Sequence, residues 1–450
     1  MAALLVAACS SNSPDQTTTP PATTFTVGPH DIWAGSTVTI RSSAFHGAID
    51  TTGVAQFNGT SLVLHRVDDT TLSVNLPPST MAGSYPLSLQ FAAVVKTLDP
   101  ITVYGYADST SYPIQNDWDT YAWPRGTPHA MVMGTDDSDI IHVVNLDTHA
   151  ITPIRGLGGH GGFGFGLYGP GFTYADDSAL IVQGPDEPFS GPPQAFFRVR
   201  LDSPTVLVPL SPPNVFLDGP VRDIMRLSPT TWFVAGKAGG YVVANVDSTA
   251  PEGGTPTTTL ALIGNGTGTY ISPRHDRATG TPDLSGSAGI PVLDLPSGNV
   301  AFHVPMDGGA YGADFSADGS FLAMTGSGSG RLIQLNASDG TVLQDTTFSA
   351  NAYEVAYDPA RPLVYVLTLT ATQPGNPALS SEVLVLDRAT FRVVGRLDAP
   401  QSYEATCNTN LRGALSVSRS ANALYFFRGC YTHQSSAALR FTLPPDNGVQ

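Results

Sequence analysis

VVNLDTHAITPI, from Val143 to Ile154, reads as an apolar strand, an Asp turn, a Thr step and a second strand, and the same order returns six more times. The copies are FRVRLDSPTVLVPL from Phe197, VVANVDST from Val242, IPVLDLPSGNVAFHV from Ile290, LIQLNASDGTVLQD from Leu332, VLVLDRATFRVVGRL from Val383 and a degenerate LRFTLPPDNG from Leu439. Their turn residues are Asp147, Asp202, Asp247, Asp294, Asn336, Asp387 and Pro444, in steps of 42 to 57 residues with a mean of about 50. Short strands at that period imply one small sheet per repeat, each burying its apolar face against the next.

A second motif precedes the first. It reads strand, tight polar turn, strand: FTYADDSALIVQG from Phe172, MRLSPTTWFVAG from Met225, ADFSADGSFLAMTG from Ala313, VAYDPARPLVYVLTL from Val355 and LSVSRSANALYFFRG from Leu415. Together the two motifs place four antiparallel strands in each period, which predicts a seven-bladed β-propeller over residues 106–450. The fourth repeat, with ISPRHDRATGTPDLSG from Ile271, is the least regular. After Leu443 only PPDNGVQ remains, so the seventh repeat lacks its last strand. Residues of about 103–112 are expected to complete it and remove the open edges. Tyr112–Trp123 is then available as the first strand of the first repeat.

This alternation resembles the YVTN/WD40-like propellers, in which S-P-D-G-x-x-L-Y-V alternates with V-x-V-x-D-x-x-T-G. Phe315–Gly319 and Tyr357–Pro359 carry the resemblance. Some propellers of this kind are lactonases or lyases, so the resemblance implies an enzyme acting at the channel mouth as the alternative to a binding protein.

Residues 25–105 read differently. Ala34–Phe45, Val54–Ser79 and Ala82–Phe91 alternate apolar and polar residues between Gly and Pro punctuation, as half-buried strands do. Roughly seven strands in 80 residues predict a small sandwich. The order of Gly35, Val38, Ile40, Phe45, Phe57, Gly59, Pro77, Gly83 and Tyr85 resembles the IPT/TIG family of immunoglobulin-like domains. Ser43-Ala44 stands where that family has a Gly before the Phe. The resemblance implies a spacer or docking module. The fold class is therefore all-β, an immunoglobulin-like sandwich followed by a propeller.

The chain starts MAALLVAACSSN, and Val6-Ala7-Ala8-Cys9 resembles the bacterial lipobox. That resemblance implies a signal segment over 1–8, cut before a lipidated Cys9. The other reading is an unlipidated Cys9. The segment has no Lys or Arg, so the translation start is expected upstream of Met1. Residues 9–24 are a Ser/Thr/Pro-rich tether that cannot bury a core. No later run of 18 apolar residues exists to span a membrane. The implied location is the cell envelope, lipid-anchored.

The remaining cysteines, Cys407 and Cys430, are an even pair, which favours a disulfide in an exported protein. Pairing Arg419 with Ala423 across a turn at 420–422 would set Cys430 opposite Arg412, a few residues from Cys407. Such a bridge would contribute about 3 kcal/mol. The other reading is two free buried thiols.

Charge argues against one class of partner. The net charge is −16, with only Lys96 and Lys237 among 21 basic residues, and such a surface repels phosphate backbones. The expected partners are a membrane through the anchor and a protein or glycan, without nucleic acid.

Catalytic and metal motifs are absent. GLGGHGGFGFGLYGPGF (Gly156–Phe172) is neither a P-loop nor a dinucleotide fingerprint. Its glycines permit close backbone approach, and His160, Phe163, Phe165 and Tyr168 can line a pocket; the plainer reading is a tight crossing between blades. His129, His142, His149 and His160 cluster in sequence without the short spacing zinc prefers. Asp136–Asp139 lacks the Gly and Glu of a calcium loop. GSGSG at 326–330 places Gly328 where a nucleophile elbow needs Ser. Paired carboxylates occur at Asp186-Glu187 and at Asp117 and Asp119, but spacing in sequence does not fix their separation. No cofactor, metal site or catalytic residue is expected, and the reading is a binding or scaffolding protein.

Overall fold

The computed structural model describes residues 24–42, 53–91, 94–112, 129, 131–135, 141–154, 172–176, 179–183, 196–200, 203–210, 221–228, 231–236, 239–244, 255–259, 269–280, 289–295, 297–306, 309–326, 328–373, 376–398, 415–429 and 436–446. All regular structure among them is strand. Internal contacts divide the chain into two units. The first holds residues up to His30, Thr37–Asn75 and Pro86–Pro100; the second holds Asp31–Ser36, Leu76–Tyr85 and everything from Ile101.

The first unit is two four-stranded antiparallel sheets. One runs Phe25–Gly28, Thr37–Ser42, Thr71–Asn75, His65–Arg66 in spatial order; the other runs Val94–Thr97, Leu87–Phe91, Val54–Phe57, Thr60–Val63. Strand alternation buries Val38, Ile40, Leu72 and Val74 in the first sheet and Ala55, Phe57, Leu87 and Leu89 in the second. Phe57 pairs with Thr60 across a two-residue turn in which Asn58 (φ 46°) and Gly59 (φ 76°) are both left-handed. Asn-Gly is the sequence that tolerates such a turn, and its twist matches that of the strands it joins.

Among its described residues the second unit holds one small sheet and a series of seven larger ones. In chain order the first strands of six of these are Met131–Thr135, Phe172–Asp176, Val221–Ser228, Thr269–Ile271, Ala310–Phe315 and Asn351–Tyr357, each followed outward by its antiparallel partners. Sheet one has three strands among the described residues; sheets two to six have four. The first strands of sheets four, five, six and seven touch in succession, as inner strands around a propeller axis do. Between neighbouring sheets, apolar side chains interlock in separate clusters. Val292 and Val304 of sheet four pack with Phe315, Met324 and Ile333 of sheet five, and Ala323 and Leu332 pack with Val355, Val364 and Leu384 of sheet six.

Sheet seven is built from both ends of the unit. Its order is Leu415–Ser418, Ala423–Gly429, Ser436–Thr442 and, outermost, Tyr106–Tyr112. Tyr106 pairs with Phe441 and Tyr112 with Ser436, and the Tyr106 and Phe441 rings meet edge to face at 6.0 Å. The expected completing segment is found, though residues 101–104 pair elsewhere, in the small sheet with Asp31–Trp33 and Gly83–Tyr85. One expectation is corrected. Ser418, not Arg419, pairs with Ala423, because Asn422 (φ 45°) takes the left-handed position and lengthens the turn to 419–422.

The outer edge of sheet six is covered. Arg396 N–H donates to Ala34 O at 3.1 Å, Asp398 N–H to Pro78 O at 3.3 Å, and the Ser36 hydroxyl to Val394 O at 2.9 Å. Gly35 (φ 72°) is required here: a Cβ would lie 2.9 Å from that of Arg396. Edge strands left open are templates for unwanted pairing, so these contacts remove one.

Candidate functional site

The first strands of sheets five and six share an irregularity near their N-terminal ends. In sheet five Ala310 pairs with Gly326 and Ala313 with Met324, so Tyr311 and Gly312 together face one residue, Thr325. In sheet six Ala352 pairs with Thr368 and Glu354 with Leu367, leaving Tyr353 as the extra residue. Bulges of this kind re-aim a side chain. Here they bring Tyr311 and Tyr353 into a parallel stack, with centroids 4.6 Å apart and planes within 5°. Both rings are partly exposed.

Bulges leave backbone groups outside the ladder, and one buried hydroxyl serves both. Gly312 N–H donates to Thr325 Oγ1 at 2.9 Å, while the Thr325 hydroxyl faces Gly312 O at 3.2 Å and Tyr353 O at 3.1 Å. Gly312 is itself dictated by closeness, since a Cβ would sit 2.7 Å from Tyr353 O. The tyrosine pair is thus fixed from beneath. Burial, then the adjacent Tyr311, pushes the Tyr353 phenol above its usual pKa. Glu354, 4% exposed, follows directly on the inner strand.

The GSGSG turn lies at this same end. Ala352 N–H donates to Ser329 O at 3.0 Å and Phe348 N–H to Gly330 O at 2.9 Å. Its glycines serve the crossing between sheets five and six rather than a nucleophile: a Cβ on Gly330 would be 2.1 Å from Phe348 O.

At the opposite ends of the strands, Asp147 gathers four polar groups. Ser418 and Ser420 donate to Oδ2 at 2.7 and 2.8 Å, Tyr425 donates to Oδ1 at 3.0 Å, and His129 Nδ1 lies 3.0 Å from Oδ2. Ser, His and Asp in contact invite comparison with a hydrolytic triad. The geometry excludes that. In a triad the acid and the nucleophile use different ring nitrogens; here Ser420 and Asp147 both face Nδ1 of His129. Asp147 instead ties sheet one to sheet seven. Burial and then the Asp147 charge raise the Tyr425 phenol well above its usual pKa. Nearby, the Tyr112 hydroxyl meets His149 Nδ1 at 2.9 Å, and burial pushes that phenol up to about 12.

A second tie joins sheet six to sheet seven. Arg361, 3% exposed, contacts Asp358 at 3.0 Å, Pro444 O at 2.7 Å, Asn422 Oδ1 at 2.6 Å and Asp446 at 3.1 Å. Asp358 also accepts from the buried Tyr365 hydroxyl at 2.7 Å. Turn carboxylates in this protein hold the sheets together.

Cys9, Cys407, Cys430, His160, Phe163, Phe165 and Tyr168 lie outside the described residues, as does Asp136–Asp139. Of the four histidines, His129 and His149 hold separate partners, and His142 is placed on the strand Ile141–Asn145. Among the described residues no group of three or more His, Cys, Asp or Glu side chains is placed to hold a metal. The tyrosine pair escaped the sequence reading. Each Tyr stands five residues before the first residue of a polar turn, Ser316 or Asp358, but that spacing does not reveal the bulges that bring the two rings together.

No family model matches the sequence, and no curated protein matches it. Among solved structures the chain is similar to the β-propeller domain of Cps50 (Swd1) from Myceliophteria thermophila, at TM-score 0.50 and 10% identity, over 76% of this chain and 100% of that one. It is also similar to a chain of the mitotic checkpoint complex (TM-score 0.48, 11% identity, 75% of this chain and 92% of that one). A third similar chain is the dihydro-heme d1 dehydrogenase NirN in complex with DHE (TM-score 0.44, 12% identity, 76% and 66%). At such identity likeness shows fold alone: the chain is an all-β protein built on a β-propeller.

Proposed function

We propose that this chain is a cell-envelope-anchored binding or scaffolding protein, lipidated on Cys9, in which an immunoglobulin-like domain over 25–105 carries a seven-bladed propeller. In this reading the seven sheets of the second unit are the blades, and Tyr106–Tyr112 closes the ring. The lipobox resemblance, the Ser/Thr/Pro tether and the strand order in sheet seven support it. The propeller presents the end of its inner strands that bears Tyr311 and Tyr353 to a partner. The observation that carries this is the stacked, partly exposed pair itself, because aromatic rings supply large contact area at small conformational cost.

The test immobilises the full chain and measures binding of defined glycans and peptides to it and to Tyr311→Ala. Saturable binding that Tyr311→Ala weakens tenfold or more, at unchanged melting temperature, supports the reading. Binding indifferent to Tyr311 refutes this face as the site.

A second reading, a lactonase- or lyase-type enzyme, is favoured by one observation: Glu354 is a buried carboxylate adjoining the pair, the environment in which general bases are tuned. Turnover of a lactone panel that Glu354→Gln abolishes would establish it.

A further inference from the structure

We infer that Tyr311 and Tyr353 form an oxidative cross-linking site, at which a one-electron oxidant of the peroxidase type, driven by hydrogen peroxide, joins the two rings into dityrosine and staples sheet five to sheet six. The inference goes beyond the binding reading and stands whether or not the same face takes a partner.

Contact comes first. The rings lie face to face, with centroids 4.6 Å apart and planes within 5°, so carbon atoms of one ring rest against carbon atoms of the other. The backbones that carry them are held together. The Thr325 hydroxyl faces both Gly312 O and Tyr353 O, and a Cβ on Gly312 would lie 2.7 Å from Tyr353 O. Reactants kept in contact couple as in a unimolecular step, which replaces a rare encounter between two radicals.

Access separates this pair from other tyrosines. Tyr311 and Tyr353 are partly exposed, whereas Tyr112, Tyr357, Tyr365 and Tyr425 are buried. Those four phenols are also engaged, with His149, Gln334, Asp358 and Asp147 in turn. Tyr104 stands against Trp33 rather than a second phenol.

In the coupling step the oxidant takes one electron from each ring, and each phenol releases its O–H proton, which leaves two phenoxyl radicals. The ring carbons next to the two C–O carbons then form one C–C bond. The hydrogen on each of those carbons moves to its own oxygen and restores both phenols. The pair has lost two protons and two electrons, which convert one hydrogen peroxide into two waters. The new bond restricts the unfolded chain as a disulfide does.

The experiment treats the full chain at micromolar dilution with a peroxidase and hydrogen peroxide, and follows dityrosine fluorescence, the mass of the chain and its tryptic peptides. The expected product is a single chain two hydrogens lighter, in which the peptides carrying Tyr311 and Tyr353 are joined, formed at a rate per chain that tenfold dilution leaves unchanged. It should melt at a higher temperature than the untreated chain. Tyr311→Phe and Tyr353→Phe keep both rings but remove one phenol; each should lower the yield of this product tenfold or more at unchanged melting temperature. Dityrosine that forms only between chains, joins other tyrosines or persists in both Phe variants overturns the assignment, as does hydroxylation of the two rings without a link. A joined chain that melts no higher overturns the staple. None of these outcomes bears on the binding face, which Tyr311→Ala tests separately.

Discussion

The hydroxyl of Thr325 lies 3.1 Å from the carbonyl oxygen of Tyr353, a contact between adjacent sheets that passes beneath the stacked tyrosines. The Thr325 hydroxyl oxygen also accepts from Gly312 N–H. Thr325→Val keeps the shape and removes every one of these bonds, so it should cost about 1–3 kcal/mol, the penalty for buried unsatisfied groups. Thr325→Ser should recover most of it. Urea denaturation measures the stability, and near-ultraviolet circular dichroism reports the tyrosine pair. Equal stability of the Val and Ser variants would show that the hydroxyl does not bridge the bulges.

Removing Arg361 strands a buried carboxylate. Arg361→Met should destabilise by about 3–5 kcal/mol, because Asp358 loses its counter-charge inside the protein. Adding Asp358→Asn to Arg361→Met should restore part of the loss. A double variant no better than the single one would place the damage in the lost contacts to Pro444 and Asn422 rather than in the unpaired charge.

Two glycines of one turn should fail for different reasons. Gly328 (φ 63°) has open space around it, so Gly328→Ala should cost about 1–2 kcal/mol, the strain of a left-handed alanine. Gly330→Ala drives a methyl into Phe348 O and should cost at least the upper part of the ~1–3 kcal/mol range for overpacking. Thermal melts of the pair rank them, and the reverse order would contradict the placement of the 348–350 crossing.

The pH response of Glu382 has a definite sign. Burial raises its pKa above the usual 4.5, against the opposing Arg396 2.7 Å away. The folded state therefore holds the proton more tightly than the unfolded one. That linkage contributes stability below the unfolded pKa and is lost as pH rises through the folded value. Relative to Glu382→Gln, which does not titrate, the wild-type melting temperature should drop as pH rises from below the usual 4.5 through the raised folded-state value. A gap that stays constant or widens in favour of wild type would mean the ion pair outweighs burial.

The architecture was legible because blades repeat. Six Asp or Asn turns and a degenerate seventh at Pro444, at a period near 50, could be read from apolar strands and turn residues alone, and the missing last strand pointed to the segment around 103–112. The site was not legible in the same way. Tyr311 and Tyr353 are ordinary strand residues in sequence, and only the extra residue in each inner strand turns them toward one another. A bulge depends on the register of the neighbouring strand, which pattern reading does not supply. The one-residue error at Ser418 has the same origin: Asn422 adopts a left-handed conformation, and a single such residue moves a whole hairpin. Asp147 was recognised as a turn residue, but its role in joining sheet one to sheet seven depends on partners more than 270 positions away.

The outermost strand of sheet seven has a consequence for how the chain is made. Tyr106–Tyr112 leaves the ribosome early, and its partner Ser436–Thr442 follows only after some 320 further residues. At ordinary synthesis rates that is an interval of tens of seconds. Throughout it Tyr106–Tyr112 has not yet met the strand it pairs with in the finished sheet, a pairing between segments far apart in sequence. A truncation near residue 430 would therefore leave Tyr106–Tyr112 without the strand that covers it.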